Sequence, residues 1–152
     1  GCSIQQGDVT ELPKNLRKSN FHLVTALALL EHIHNPEKVF NQVYEALVPG
    51  GLFVATCPSP IWDKISGATG LHKEEYHFTD FRWPLFKDFC DKANLKPVRY
   101  KPFMFVPYAF LPYLGIPVSA KFSGKLDAFV RALFIFRPSF VNQLFIARKP
   151  YA

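Results

Sequence analysis

Cysteine and methionine are scarce in this chain. Its 152 residues hold three Cys and one Met. Cys2, Cys57 and Cys90 make an odd set with no Cys-x-x-Cys pair, which supports neither a disulfide framework nor a zinc ribbon. A reducing, cytoplasmic setting follows from that usage. Long basic runs are also missing. The net charge of +6 is scattered, and no five consecutive basic residues occur, so a dedicated nucleic-acid arm is excluded. The N-terminus lacks a charged start followed by an apolar core, so it does not read as a secretory signal. It opens without Met, almost directly on a strand-like segment, which predicts a truncated domain. No internal repeat or low-complexity tract is present. No glycine-rich loop is present either: the eight Gly stand alone except for Gly50-Gly51.

What the chain does have is enough apolar matter for one core. Hydrophobic residues make up 49% of it, with 16 Phe, most of them after Phe78. At 152 residues the length is that of a single domain, taken here as residues 1–152. Phe21 to Pro58 organises the pattern. Phe21–Ala26 is a short apolar run in which Val24 and Thr25 favour extension. Leu27–Ile33 is apolar and helix-capable. Asn35 then offers an N-cap, Pro36 fits the first helical position, and Glu37 suits the helix dipole. Val39, Phe40, Val43 and Leu47 fall on one helical face. Pro49-Gly50-Gly51 ends the helix, and Leu52–Thr56 is a second buried strand stopped by Pro58. Two apolar strands around an amphipathic helix form a βαβ unit, so the strands are predicted to be parallel and helix-covered.

Around this unit the reading continues. Residues 3–7 are a short strand candidate, with Asp8 at its carboxyl end, where open α/β sheets gather ligands. A turn or cap role serves Asp8 equally well. Ser59–Glu75 reads as loop. A helix is predicted within Asp80–Ala93, capped by Thr79 or Asp80, with Pro84 in its first turn and Asn94 closing it. Pro97–Lys101 and Gln143–Ala147 are strand candidates. Between them, Phe103–Ala120 carries no charge and touches the lower length for a membrane span. Pro107, Pro112 and Pro117 argue against one, because each removes a backbone donor that lipid cannot replace. A buried loop or broken helix over the sheet is expected instead. Lys125–Phe136 reads as an amphipathic helix with Leu126, Phe129, Val130, Leu133 and Phe134 inward and Lys125, Asp127 and Arg131 outward. Core packing or interfacial binding could use that stripe.

Chemistry-bearing residues are few. His32-x-His34, with His72 and His77, has no regular zinc spacing, so no metal is expected. Cys57 and Cys90 lie in apolar contexts that favour inert thiols. Glu31 and His32 stand at the carboxyl end of a predicted central strand. A His there can take a proton from a substrate hydroxyl near neutral pH, or it can simply be a solvated helix-start residue.

Four stretches in order carry a resemblance: GDVTELP at Gly7–Pro13, FHLVTALALLEHIHNP at Phe21–Pro36, LVPGG at Leu47–Gly51, and Tyr76–Leu95 from YHFTDF to KANL. Together the chain resembles the later half of class I S-adenosylmethionine-dependent methyltransferases of the type 11 kind. The resemblance implies an α/β fold: a partial Rossmann-like methyltransferase sheet, strands 3 to 7 of seven, with a helical aromatic-rich insert between the last two strands. That insert, residues 103–141, would be lid-like. It implies S-adenosylmethionine as cofactor, with Asp8 on the adenine amino group, Val9 offering its N–H, and Ala26 and Leu27 lining the cofactor. It implies Glu31 and His32 at the reaction centre, with His32 the general base for a hydroxyl acceptor. The acceptor would be small and lipophilic or aromatic. The alternative is a non-catalytic methyltransferase-like partner subunit docking on a protein or a membrane through residues 103–136. The Asn/Asp-Pro-Pro-Tyr/Phe motif of amino-methylating DNA enzymes is absent, Cys57-Pro58-Ser59-Pro60 standing there instead, so nucleic acid is not an expected partner. Two departures from the family are His22 in place of an Asp and the missing glycine-rich cofactor loop. From the second, these 152 residues alone are expected to bind the cofactor weakly or not at all.

Overall fold

The structure is a computed structural model that describes residues 4–18, 20–69 and 77–151. Its centre is a four-stranded mixed sheet. The strands are β1 (Phe21–Leu27), β2 (Leu47–Pro58), β3 (Lys96–Phe105) and β4 (Phe140–Arg148), in the order β1-β2-β4-β3. β1 and β2 are parallel, and β4 runs antiparallel to both of its neighbours. The predicted βαβ unit is thus formed. Its crossover is α2 (Pro36–Ala46), which starts with Asn35 at the N-cap and Pro36 just inside.

Core formation follows from alternation along the strands. Leu47, Phe53, Ala55 and Cys57 of β2 are buried on one face, beside Gln143, Phe145 and Ala147 of β4. α2 and α4 (Trp83–Lys92) cover that face. Phe40 of α2 meets Phe53 edge-on at 5.4 Å and Phe86 of α4 at 5.3 Å, while Phe86 stacks on Phe145 at 4.9 Å. Such ring pairs add about 0.5–1.5 kcal/mol each beyond their buried area. Gln143 is the polar exception in this core. Its amide nitrogen donates to the carbonyls of Pro58 and Phe81, both at 3.0 Å, and its Oε1 accepts from the Tyr100 hydroxyl at 2.9 Å. One side chain thereby ties three chain segments together without leaving a buried amide unsatisfied.

Several expectations are corrected. Residues 4–7 form no strand. A strand there needs a ladder partner for its backbone N–H and C=O groups, and the sheet beyond β1 offers none among the described residues. Among the described residues the sheet therefore has four strands, where strands 3 to 7 imply five. Leu27–Ile33 is not a helix but a single 3-10 turn, Leu30–His32, after Ala28 at φ 47. Pro49-Gly50-Gly51 does not separate helix from strand: α2 ends at Ala46 and β2 begins at Leu47, with the irregularity absorbed by a register shift between Phe21 and Leu23. The predicted loop at 59–75 contains α3 (Pro60–Thr69), and the rest of it lies outside the described residues. α4 starts three residues later than its predicted cap, with Arg82 at the N-cap; Pro84 still lies in the first turn, and Asn94 closes the helix at φ 56. Cys90 on its buried face has its thiol pushed up to about 12, by burial and then by the neighbouring Asp91 charge.

The insert is differently built as well. After α5 (Val106–Ala109) and a 3-10 turn at Leu111–Leu114, α6 spans Ala120–Ala132, and a further 3-10 segment covers Phe134–Ser139. α6 buries Asp127 and Val130, while Phe129 is 65% exposed and Phe134 68%. Phe129, Leu133 and Phe134 of the expected stripe therefore face outward, Val130 stays inward as expected, and the expected outward Asp127 faces inward. Hydrogen bonding decides this. Asp127 accepts from the N–H of Met104 at 2.9 Å, the N–H of Phe105 at 3.1 Å and the Tyr108 hydroxyl at 2.6 Å. The carboxylate thus closes the chain reversal after β3, where Met104 takes a φ of 68. No helix among the described residues is long and apolar enough to cross a membrane.

Candidate functional site

The carboxyl ends of β1 and β2 meet at one edge of the sheet. Leu27 pairs with Thr56, and Ala28 N–H donates to the Thr56 carbonyl at 3.0 Å. The left-handed conformation of Ala28, unusual for a residue with a Cβ, turns the chain off the strand into the Leu30–His32 turn. That turn sets Glu31 inward at 2% exposure, against the core side of Cys57. Burial, with the Glu31 carboxylate beside it, holds the Cys57 thiol protonated well above its usual range. Cys57 is thus no nucleophile, as its apolar context suggested.

His32 stands next to His77, ring centroids 4.7 Å apart. His77 Nδ1 lies 2.6 Å from Asp63 Oδ2 of α3. The backbone N–H of Phe78 donates to the Glu31 carbonyl at 2.8 Å, and His34 stacks on the Phe78 ring at 3.7 Å. Three segments, the turn after β1, α3 and residues 77–78, therefore converge. One ligand atom each from Glu31, His32 and His77 lie within 4.8 Å of one another. His32 and His34 do not act as a pair; the second imidazole at His32 comes from His77. His72, the fourth His of the sequence reading, lies outside the described residues.

The other expected site residues lie outside the Glu31–His32–His77 cluster. Ala26 is buried in the core, so its side chain packs rather than lines a ligand, whereas Leu27 is 62% exposed at the strand end. Asp8 is exposed, and its Oδ1 accepts from both the N–H and the hydroxyl of Thr10 at 2.8 Å. Those two bonds, the backbone one first, hold its carboxyl below the usual range. This is an Asx turn, and Oδ2 is the oxygen Thr10 leaves. Val9 packs partly against the core. Sequence reasoning missed Asp63, because the segment holding it read as loop. The i, i+3 spacing of Trp62 and Ile65 around it was the available signal for helix. The Trp62 indole N–H donates to the Pro138 carbonyl at 2.7 Å, fixing α3 against the segment that leads into β4.

A sequence profile described as a methyltransferase domain matches residues 1–55. Among solved structures, a SAM-dependent methyltransferase from Archaeoglobus fulgidus superposes with a TM-score of 0.64 at 15% identity, over 95% of this chain and 66% of that one. One from Methanosarcina mazei gives 0.58 at 10% identity, over 96% and 66%. Haemonchus contortus phosphoethanolamine N-methyltransferase 2, in complex with S-adenosyl-L-methionine, gives 0.54 at 14% identity, over 95% and 36%. The chain thus spans about two thirds or less of the length of these three. No curated protein matches it. Residues 1–55 thus match a methyltransferase-domain profile, and the fold of the chain is similar to that of solved SAM-dependent methyltransferases.

Proposed function

We propose that the protein takes part in S-adenosylmethionine-dependent methyl transfer to a small lipophilic or aromatic acceptor, and that the edge holding Glu31 and His32 is its reaction side. The observation that carries this is the position of Glu31 and His32. They sit in a turn directly after β1, within the matched segment, at the sheet edge where α/β folds bind ligands. In this reading β1, β2, β3 and β4 stand for family strands four, five, six and seven. The order β1-β2-β4-β3 with β4 alone reversed supports the assignment. The free edge of β1 would then adjoin family strand one.

The cofactor supplies the electrophilic methyl group; the chain's residues orient and deprotonate. Asp8 Oδ2 and the Val9 N–H would take the adenine, and the exposed Leu27 would line the cofactor with the backbone of Ala26. His32 would accept the proton of an acceptor hydroxyl as its oxygen attacks, a role open to an imidazole near neutral pH. Phe110, Leu114 and Ile116, all exposed on the 103–141 insert, would form the apolar wall of a lid. The test is a transfer assay on the protein as encoded, with labelled S-adenosylmethionine and phenols of rising lipophilicity. Turnover that increases along the series supports the reading. Absence of both turnover and cofactor binding would sink it.

A second reading is favoured by one further observation. Residues 101–152 hold seven Lys or Arg and one acid, the buried Asp127, so the whole excess positive charge falls there beside exposed Phe122, Phe129, Phe134 and Ile135. A peripheral, non-catalytic subunit lying on an anionic membrane would use such a surface. Flotation with phosphatidylglycerol vesicles but not with phosphatidylcholine vesicles, in a protein without turnover, would select it.

A further inference from the structure

Methyl transfer leaves one atom of the cluster without a role. Glu31 is 2% exposed, yet its Oε2 accepts no hydrogen bond. The Cys57 thiol is hydrogen-bonded to this carboxylate, which leaves Oε2 unused, and among the described residues no Lys or Arg forms an ion pair with it. An unsatisfied buried acceptor costs about 1–3 kcal/mol, and more if charged. Buried carboxylates are therefore paired, hydrogen-bonded or bound to metal.

Two imidazoles stand in front of it. The candidate ligand atoms of Glu31, His32 and His77 lie within 4.8 Å of one another. Metal–ligand bonds of about 2.0–2.2 Å at a tetrahedral ion put ligand atoms about 3.3–3.6 Å apart, so side-chain adjustment of up to about 1.5 Å, within reach of rotamer changes, closes the set. The support behind His77 is already in place. Its Nδ1 lies 2.6 Å from Asp63 Oδ2, with the His77 side chain 11% exposed. A carboxylate on the remote ring nitrogen fixes the tautomer, so that Nδ1 carries the proton and Nε2 the lone pair, which is how metal-binding imidazoles are held. The Phe78 N–H bond to the Glu31 carbonyl locks the two contributing segments in register.

We propose that Glu31, His32 and His77 bind a divalent ion of the zinc type, with Asp63 as the positioning residue behind His77. Two imidazoles and one carboxylate suit Zn²⁺ and its borderline neighbours Co²⁺, Mn²⁺ and Fe²⁺ rather than Mg²⁺ or Ca²⁺. Three protein ligands leave a fourth position open, the arrangement of sites that act on a bound oxygen. The proposal deepens the methyl-transfer reading and rests on it only in giving that open position to the acceptor hydroxyl. With the ion present, His32 is a ligand, and the ion replaces it as the agent that acidifies the hydroxyl.

Metal binding is measured with no cofactor and no acceptor present, so its failure is distinct from failure of the methyl-transfer reading. The tag-free protein, stripped with chelator, is titrated with Zn²⁺ by calorimetry, and with Co²⁺ while its visible absorption is followed. One equivalent is expected, with the intense visible bands of a low-coordinate Co²⁺ site. Glu31→Gln keeps the shape of the buried side chain and should weaken Zn²⁺ binding about 100-fold; Asp63→Asn should weaken it about 10- to 100-fold. His77→Ala should abolish the cobalt bands. No saturable binding by the unaltered protein, or equal binding by Glu31→Gln with its fold intact, would overturn the proposal.

Discussion

The hydroxyl of Tyr108 donates to Asp127 Oδ1 at 2.6 Å, across the gap between α5 and α6. The same carboxylate takes the N–H groups of Met104 and Phe105, so one buried side chain holds both ends of the reversal that follows β3. Asp127→Ala should destabilise the protein by about 3 kcal/mol, since it leaves two part-buried N–H groups and one buried hydroxyl without their acceptor. Asp127→Asn keeps a carbonyl oxygen and should cost about half as much. Urea unfolding measures both. A loss under about 1 kcal/mol for the alanine variant would show that the reversal is held by other contacts.

Asp127 also marks where reading from sequence stopped. The βαβ unit was legible, because α2 carries both a cap and a proline at its start, and β1 and β2 carry short apolar runs. The insert was not. Its stripe of Phe129, Leu133 and Phe134 has the period of a buried face, but periodicity does not say which side of a helix meets the protein. A carboxylate needed by two backbone N–H groups, one of them on Met104 at φ 68, and by a phenol outweighed the stripe. Glu31 and His32 were legible from their place after a strand. His77 was named with them by residue type alone and Asp63 not at all, because only the tertiary fold brings α3 and residues 77–78 to the turn.

Alkali should act on this insert through Tyr108. Burial first, then the bond to Asp127 and that group's charge, push its hydroxyl up to about 12 from an ordinary value of 10.0. A raised folded-state value means that the stability it contributes is whole below pH 10, where neither state ionises. It is lost as pH rises from 10 toward 12, as the unfolded chain ionises first. Tyr108→Phe removes that titration. It should be less stable at pH 7, by about 1 kcal/mol for the lost hydrogen bond, and should show a flatter decline across the alkaline window. Thermal melts at half-unit steps read the difference between the two slopes; parallel curves would refute the assignment.

Adjacent glycines at the start of β2 should differ. Gly51 has no room for a side chain: an added Cβ would meet the Val48 carbonyl oxygen at 2.9 Å and that of Phe21 at 3.1 Å, both backbone atoms of the β1–β2 junction. Gly50 has a φ of 80, but the obstruction beside it is the ring of Tyr151, which is 73% exposed and able to swing away. Gly50→Ala should cost about 1–2 kcal/mol, the strain of a left-handed alanine. Gly51→Ala should cost more, about 3 kcal/mol, because the backbone of two strands must shift. Denaturant midpoints give the order, and the reverse order would mean that the junction is looser than its contacts indicate.

Two substitutions separate cofactor binding from chemistry. Asp8 is exposed, and Thr10 engages only one of its oxygens, so Asp8→Ala should leave the fold nearly unchanged. If Oδ2 receives the adenine, affinity for S-adenosylmethionine should fall about tenfold, the equivalent of one hydrogen bond, with kcat little altered at saturating cofactor. In the proposed function His32 serves the acceptor side. His32→Ala should lower kcat by about 10²–10⁴, the usual range for losing help in deprotonation, whether His32 takes the proton itself or holds the ion that acidifies the hydroxyl, and should leave cofactor affinity unchanged. The two effects should therefore cross: one variant moves Kd alone and the other kcat alone. Calorimetry with S-adenosylmethionine and initial rates at saturating cofactor read them separately. If both variants lowered both quantities together, the assignment of Asp8 to the adenine side and His32 to the acceptor side would fail, and a shared structural disturbance of the sheet edge would be the better account.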